Sequence, residues 1–312
     1  ILKEGQMRME ASQIQRDFDP VTVDDYPLIQ RYLSLAQYEE SNHNLVNMIL
    51  WIEAYPLFKC QNENWLLLLG VHEGTLFIYM PLCRSEYFKE AILAAKAIFE
   101  RYRLPFVLSC FTREAARWFA DTFPNTCLEE NRDSADYVYL CEKLKTFAGK
   151  KLQKKRNHLN AFYKEYAGRW EYESFNEANV KECETFLRQW HAENPDEFLQ
   201  AERRGVFRIL ELFGQIPYRG GLIRIDGEVK AFAIGSWLSA RMCQENIEKA
   251  DDEIRGLYQA IMKEWLTHEF DEAEYVNRED DMGYENIRQA KLAYHPEFLI
   301  EKYRLCGKEN QL

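Results

Sequence analysis

The chain lacks any run of eighteen or more apolar residues. Its greasiest stretch, Trp65 to Leu69, is only strand length, so no membrane-spanning helix is expected. A Cys-x-x-Cys pair is missing as well. The eight cysteines stand singly at 60, 83, 110, 127, 141, 183, 243 and 306. No Cys or His lies at ligand spacing, which argues against a metal site. Isolated thiols inside apolar runs suit small buried hydrophobes in a reducing cytoplasm. There is no Gly-x-Ser-x-Gly elbow, Walker loop or dinucleotide fingerprint, and with them go the serine hydrolases, P-loop enzymes and ordinary dehydrogenases. Residues 1 to 17 include Lys3, Glu4, Arg8 and Glu10 and no apolar signal core. They are expected to be an N-terminal extension, not a secretory leader.

What the chain does have is apolar bulk and a lopsided charge. Its 312 residues are 46% hydrophobic and 14% aromatic, enough for two cores of about 150 residues each. Forty basic residues against 51 acidic ones give a net charge of −11, which argues against a general nucleic-acid coat protein. Between Gly149 and Arg169, however, seven Lys or Arg face Glu165 alone, a local balance of +6.

Patterning predicts helices over 24–34 and 44–54, a meander of strands at 57–61, 65–71 and 75–80, and an amphipathic helix over 85–102. A strand at 106–111, a helix over 112–123 and a strand at 137–141 would complete the first half. The second half repeats the order. Helices over 177–191 and 198–213 precede a hairpin of 221–225 and 229–236 around Asp226-Gly227. Then come a strand at 243–247, a helix over 254–270, a strand at 274–277, a helix over 284–294 and a strand at 298–303. The expected fold class is therefore α/β (α+β): two domains, 18–145 and 146–312, each a mixed, mostly antiparallel sheet flanked by helices.

Three places hold residues suited to chemistry. The first is Gly149 to Asn160. At helical spacing Leu152, Leu159, Phe162, Tyr163 and Tyr166 form an apolar stripe, while Lys151, Lys155 and His158 line another face beside Lys150, Lys154 and Asn157; Arg156 adds a further cation. Such a row either grips phosphates or is a solvated face. The second is Glu248 to Tyr258, where a strand gives way to a helix. Glu248 is placed to act as general base, Lys249 to touch substrate, and Arg255 and Gly256 to meet a phosphate at the helix N-terminus. Asp251, Asp252 and Glu253 equally suit an ordinary acidic helix start. The third is the polar loop from Asn277, with Arg278, Asp280 and Gly283, which reads as a cleft edge or a capping loop. His43, His72, His191, His268 and His295 show no partner spacing and are expected to be structural or exposed.

These strings, with Ile247-Glu248-Lys249-Ala250, Ile254 to Ile261, Tyr275 to Asp280 and Arg288 to Pro296, resemble the bacterial family related to the C-terminal domain of phosphatidylglycerol lysyltransferase. The likeness runs from about Phe18 to Leu305, with Trp51 and Pro81 as anchors in the first half. It implies two GNAT-like acyltransferase domains in tandem, as in the Fem-type peptidyltransferases that move amino acids from aminoacyl-tRNA. It places Lys150 to Asn157 at the basic helix opening the second domain, and sets Glu248, Asn277, Arg278 and Gly283 along the cleft. The chain carries no membrane-spanning half, which counts against a lipid acceptor. Asp251-Asp252-Glu253 stands where a glycine-rich pyrophosphate loop would serve coenzyme A.

Two functions follow as expectations. One is an enzyme moving an acyl or aminoacyl group from a phosphate-bearing donor substrate, acyl-CoA or aminoacyl-tRNA, to a small-molecule or peptide-like amine or hydroxyl acceptor. The other is a non-catalytic ligand-binding module or sensor that keeps the fold.

Overall fold

The structure is a computed structural model and describes residues 18–72, 74–123, 127–190 and 197–306. The expected N-terminal extension and His191 lie outside the described residues. In chain order the helices are α1 (Tyr26–Ala36), α2 (Leu45–Leu50), α3 (Phe88–Arg101), α4 (Arg113–Thr122), α5 (Cys141–Thr146), α6 (Gln153–Glu165), α7 (Val180–Gln189), α8 (Glu197–Glu211), α9 (Leu257–Glu269) and α10 (Glu285–Leu292). The strands run β1 (Asp19–Pro20), β2 (Leu57–Gln61), β3 (Trp65–His72), β4 (Thr75–Ile78), β5 (Leu82–Cys83), β6 (Phe111–Thr112), β7 (Cys127–Glu130) and β8 (Asp136–Leu140). They continue as β9 (Trp170–Ser174), β10 (Arg219–Ile225), β11 (Glu228–Trp237), β12 (Met242–Ala250), β13 (Tyr275–Asn277), β14 (Phe298–Ile300) and β15 (Lys302–Cys306).

The chain forms two compact units, but they do not part near residue 146. The described residues of one unit fall within 18–38, 51–132 and 301–306, and those of the other within 39–50 and 133–300. In the first unit β1 to β5 form an antiparallel sheet. Helix α3 supplies Ile92, Ala95 and Phe99 to its core, against Trp65, Leu67, Leu69 and Ile78. The strand expected at 106–111 is reduced to a parallel bridge between Ile78 and Leu108, followed by the two-residue β6. Cys110 sits at φ 61, a left-handed conformation through which a strand cannot continue. A second small sheet orders β6, β15 and β7.

The second unit carries the larger sheet, in the order β14-β8-β13-β12-β11-β10-β9. The hairpin of β10 and β11 turns at Asp226 and Gly227, both with positive φ, as a two-residue turn of that sequence demands. All the sheet's pairings are antiparallel except β12 with β13, which α9 connects. Trp265 and Phe270 from that helix bury beside Tyr137, Tyr139, Phe147 and Phe162.

Three expectations about assignment fail here. Strand β8, expected to complete the first half, pairs instead with β13 and β14 in the second unit's sheet. The single strand expected at 298–303 is two: β14 pairs with β8, and β15 lies between β6 and β7 in the first unit. Helix α2, expected to belong to the first half, is part of the second unit. Its neighbour α8 approaches closely at Gly205, where a side chain would run into the Leu50 carbonyl.

Candidate functional site

Strands β12 and β13 run parallel only from Met242 opposite Tyr275 to Gln244 opposite Asn277, and then part. An opening between diverging strands of an α/β sheet is where ligands tend to sit. Strict alternation would place Glu245 and Glu248 on opposite faces of β12. A bulge prevents this: Gly235 pairs with Glu245 and Ile234 with Ile247, leaving Asn246 as the extra residue. The extra residue returns both carboxylates to one face.

Arg278, the first residue after the last paired one on β13, reaches both. Its Nε donates to Glu245 Oε2, and one Nη donates to Glu248 Oε2 at 2.8 Å. The three side chains are 12%, 5% and 12% exposed for Arg278, Glu245 and Glu248. The rings of Tyr294 and Tyr139 lie 5.1 and 6.0 Å from the guanidinium carbon. Lys155 of α6 sets its ammonium 3.9 Å above the same Tyr294 ring, whose hydroxyl accepts from Gln259 of α9 at 2.7 Å. Burial holds the Glu248 carboxyl well above the usual range, and the charge of Glu245 adds to this, while Arg278 and Lys155 oppose it. Burial pulls Lys155 down, helped by the charges of Arg278 and Lys154.

Of the residues expected at a site, the structure thus brings Lys155, Glu248 and Arg278 together. A second group forms at the start of α9. Gly256 has φ 86, and a side chain there would collide with the His158 carbonyl, so α6 packs hard against this turn. Burial, then the charges of Arg255, Lys154 and Lys155, lower the His158 pKa. Lys150, Lys151, Lys154, Asn157 and Arg255 are all exposed.

The other expected residues do different work. Arg156 folds back and donates to the carbonyls of Phe147 and Gly149 at 2.5 and 3.1 Å, tying down the loop before its own helix. Lys249 points to the opposite face from Glu248, because neighbours on a strand alternate. Its ammonium meets Glu202 at 2.8 Å over the Trp190 ring. Asn277 is wholly buried, donating to the Glu39 carbonyl and to Asp136 Oδ2. Asp280 accepts from the Met282 amide, and Gly283, at φ 78, donates to Asp281 Oδ1, so both shape a turn.

Glu245, Tyr294 and Gln259 escape sequence reasoning. So does a buried polar group in which Asn44, Asn47, Ser236, Gln244, Asn246 and Glu279 meet. Asn44 bonds Ser236 and Asn246, while Asn47 and Gln244 both donate to Glu279 Oε1, at 3.1 and 2.7 Å. Burial raises the Glu279 carboxyl to about 7, against the pull of Lys291, Gln244 and Asn47. A raised acid keeps its proton in the native state while the unfolded chain has lost it, so this residue makes stability fall as pH rises from the ordinary carboxylate range to about 7. Glu279→Gln, which retains an acceptor oxygen, is expected to flatten that decline. Melting temperatures from pH 5 to 8 would check this; a slope equal to that of the parent would refute it.

A separate cavity of about 690 Å³ lies beside α7, lined by Phe186, Trp190, Glu228, Asp251, Asp252 and Glu253 among others. Its acids make it a poor phosphate site. Among the described residues no group of three or more His, Cys, Asp or Glu is placed to hold a metal ion, and no helix is long and apolar enough to cross a membrane.

Comparison with known proteins places this geometry. Residues 34–306 match the family described as phosphatidylglycerol lysyltransferase, C-terminal. A conserved protein of unknown function from Bacteroides thetaiotaomicron VPI-5482 is 27% identical with a TM-score of 0.86, over 93% of this chain and 99% of that one. L-PGS from Bacillus licheniformis, at 13% identity, has the same fold with a TM-score of 0.66 over 92% and 93% of the two chains. An uncharacterized protein, MYCGA3080, of Mycoplasmoides gallisepticum (strain R(low / passage 15 / clone 2)) is 30% identical over 178 residues, 55% of this chain and 56% of its own length. The chain thus matches little more than half of that relative. The mixed, mostly antiparallel sheets flanked by helices that the resemblance implies are observed, in a fold shared with L-PGS.

Proposed function

We propose that this chain, which belongs to the phosphatidylglycerol lysyltransferase C-terminal family, is an acyl- or aminoacyl-transferase whose working site is the opening between β12 and β13. The family supports transfer chemistry of this class. One observation carries the assignment to this place: two buried carboxylates, an arginine and a lysine converge where the parallel strands part.

Each group has a role its position supports. Lys154, Arg255 and His158, exposed or half-buried at the start of α9, offer cations and a helix terminus to the phosphates of the donor. Lys155 reaches further in and holds an ammonium close to the carboxylates. It makes no hydrogen bond to another described residue and is therefore available to an anionic group of the substrate. Arg278 is already engaged by Glu245 and Glu248, so it orients them rather than gripping substrate. The acceptor amine or hydroxyl attacks the acyl carbon, the new bond forms as the bond to the donor breaks, and Glu248 takes the acceptor's proton. A carboxyl held above its ordinary range is a better base near neutral pH than a free one. The rest of the gain is positioning.

Glu248→Gln is expected to lower transfer by roughly 100-fold while the melting temperature stays close to that of the parent. The measurement is product formed from aminoacyl-tRNA and, separately, from acyl-coenzyme A, each offered with a panel of amines. Unchanged turnover in the variant would remove Glu248 from the chemistry. The acids at 251–253 favour a second reading, a binding module without turnover. Binding of uncharged tRNA or coenzyme A that weakens steeply with salt, with no product from either donor, would select it.

A further inference from the structure

We propose that Glu245 and Glu248 act as one proton-exchanging pair, holding a single proton between them and passing protons both ways during a transfer. This rests on the transferase reading of the same site. Each carboxylate gives its Oε2 to Arg278, and among the described residues the Oε1 of each is buried without a hydrogen-bond partner. Hydrogen bonds to one guanidinium, from one face of β12, hold the two carboxyl groups side by side. Two bare carboxylate oxygens in such contact repel, and burial sharpens the repulsion because little water screens it. One proton between them turns the repulsion into a charge-assisted hydrogen bond. It also leaves the pair with one negative charge, which the one guanidinium of Arg278 balances.

The surroundings agree with that count. The charged and titratable groups facing the pair are Arg278 from the β13 end, Lys155 from α6, Tyr258 from α9, Tyr139 from β8, Cys243 on β12 itself and Tyr294 after α10. Burial raises Cys243 and the three tyrosines, keeping them neutral at physiological pH. Lys155 stands over Tyr294 and not in an ion pair with either carboxylate. The pair therefore has one hydrogen-bonded counter-charge, and Lys155 acts on a second ionisation only through space, without a hydrogen bond to either carboxylate.

A singly protonated pair can serve both ends of an acyl transfer from an oxygen ester. The acceptor's nitrogen or oxygen bonds to the acyl carbon and gives its proton to Glu248, the more exposed of the two. The carbon–oxygen bond to the donor breaks, and the departing oxygen takes the proton that the pair held. One proton has entered and one has left, so the pair ends as it began. No exchange with bulk water is needed.

The test begins with infrared difference spectra of the full-length protein at neutral pH, without substrate. Parent minus Glu245→Gln and parent minus Glu248→Gln should each show the loss of one protonated-carboxyl band, because a lone carboxylate beside Arg278 ionises. A Glu279→Gln background removes from the spectrum another carboxyl that burial raises, to about 7. If either glutamine variant fails to unfold cooperatively, the matching aspartate variant, which moves one carboxyl out of reach of the other, takes its place. A band that persists in both variants overturns the shared proton. The second arm is turnover with aminoacylated total tRNA as donor. Glu245→Gln should slow it roughly 100-fold, as Glu248→Gln does, and the double variant should be no worse than either single. Unchanged turnover in Glu245→Gln overturns the exchange role. If the parent turns over neither this donor nor acyl-coenzyme A, the transferase reading falls and the exchange role with it, while the infrared result still decides whether the proton is shared.

Discussion

Residues 146–312 expressed alone are expected not to fold, although the sequence pattern marks them as a complete domain. The second unit's sheet has β8 between β13 and β14, and that strand lies outside such a fragment. So does the segment 39–50, which the same unit incorporates. Together the missing pieces bury Leu45, Val46, Met48, Ile49, Leu50, Tyr137, Val138 and Tyr139. At about 1.5–3 kcal/mol for each of these eight side chains, the loss is roughly 12–24 kcal/mol. That equals or exceeds the about 5–15 kcal/mol by which a typical domain is stable. Loss of β8 would also leave β13 with an unpaired edge, a template for aggregation. The polar part of the loss is as serious. Without Ser41 and Asn44, the buried Ser236, Gln244 and Asn246 lose partners they have in the intact chain. Near-ultraviolet circular dichroism and urea unfolding of the fragment would decide the matter. A soluble fragment with a cooperative transition would show that the inserted pieces are dispensable. Adding 133–145 alone should not rescue it, since 39–50 is still missing.

That same exchange marks the limit of what the sequence discloses. Elements fixed by short-range chemistry are legible. Asp226-Gly227 between apolar runs is a turn for local reasons, and β10 and β11 follow from it. Strands β2 and β3 and helix α3 follow from periodicity, within a residue or a few. Which sheet a strand joins is a long-range choice, and nothing within 137–141 says that its partners are 275–277 and 298–300. Likewise Phe298 to Tyr303 has the composition of one continuous strand, yet the chain changes sheets at Glu301. The site shows the same division. Lys155 and Glu248 were reached because a basic helix and a strand end are local signals. Alternation alone separates Lys249 from Glu248, and could have been applied. Glu245 could not have been paired with Glu248 by alternation, since three steps along a strand put two side chains on opposite faces. Only the extra residue at Asn246 brings them round. A bulge is a feature of pairing with β11, and the residues of β12 do not announce it.

Replacing Arg278 by alanine is expected to cost about 3–5 kcal/mol of stability, the range seen when one partner of a buried ion pair is removed. The reason is the company it leaves behind. Glu245 and Glu248 would keep their burial and lose the one group among the described residues that donates to both. Lys155 lies nearby, over the Tyr294 ring, but makes no hydrogen bond to either carboxylate, and burial already disfavours its charge. The cost should depend on pH. Without the guanidinium, which opposes the shift, Glu248 holds its proton to still higher pH in the native state than in the unfolded chain, whose glutamates titrate near about 4.3. Below that value both states are protonated and the penalty is small. As pH rises through and above it, the unfolded chain alone gains by ionising, and the variant's deficit grows. Adding Glu245→Gln and Glu248→Gln to Arg278→Ala should recover much of the loss, because amides need no counter-ion, and the recovery should be largest at neutral and higher pH. Urea unfolding at several pH values measures all of this. A pH-independent deficit, or a triple variant no better than the single one, would mean that the arginine matters for its packing against Tyr139 and Tyr294 and not for its charge.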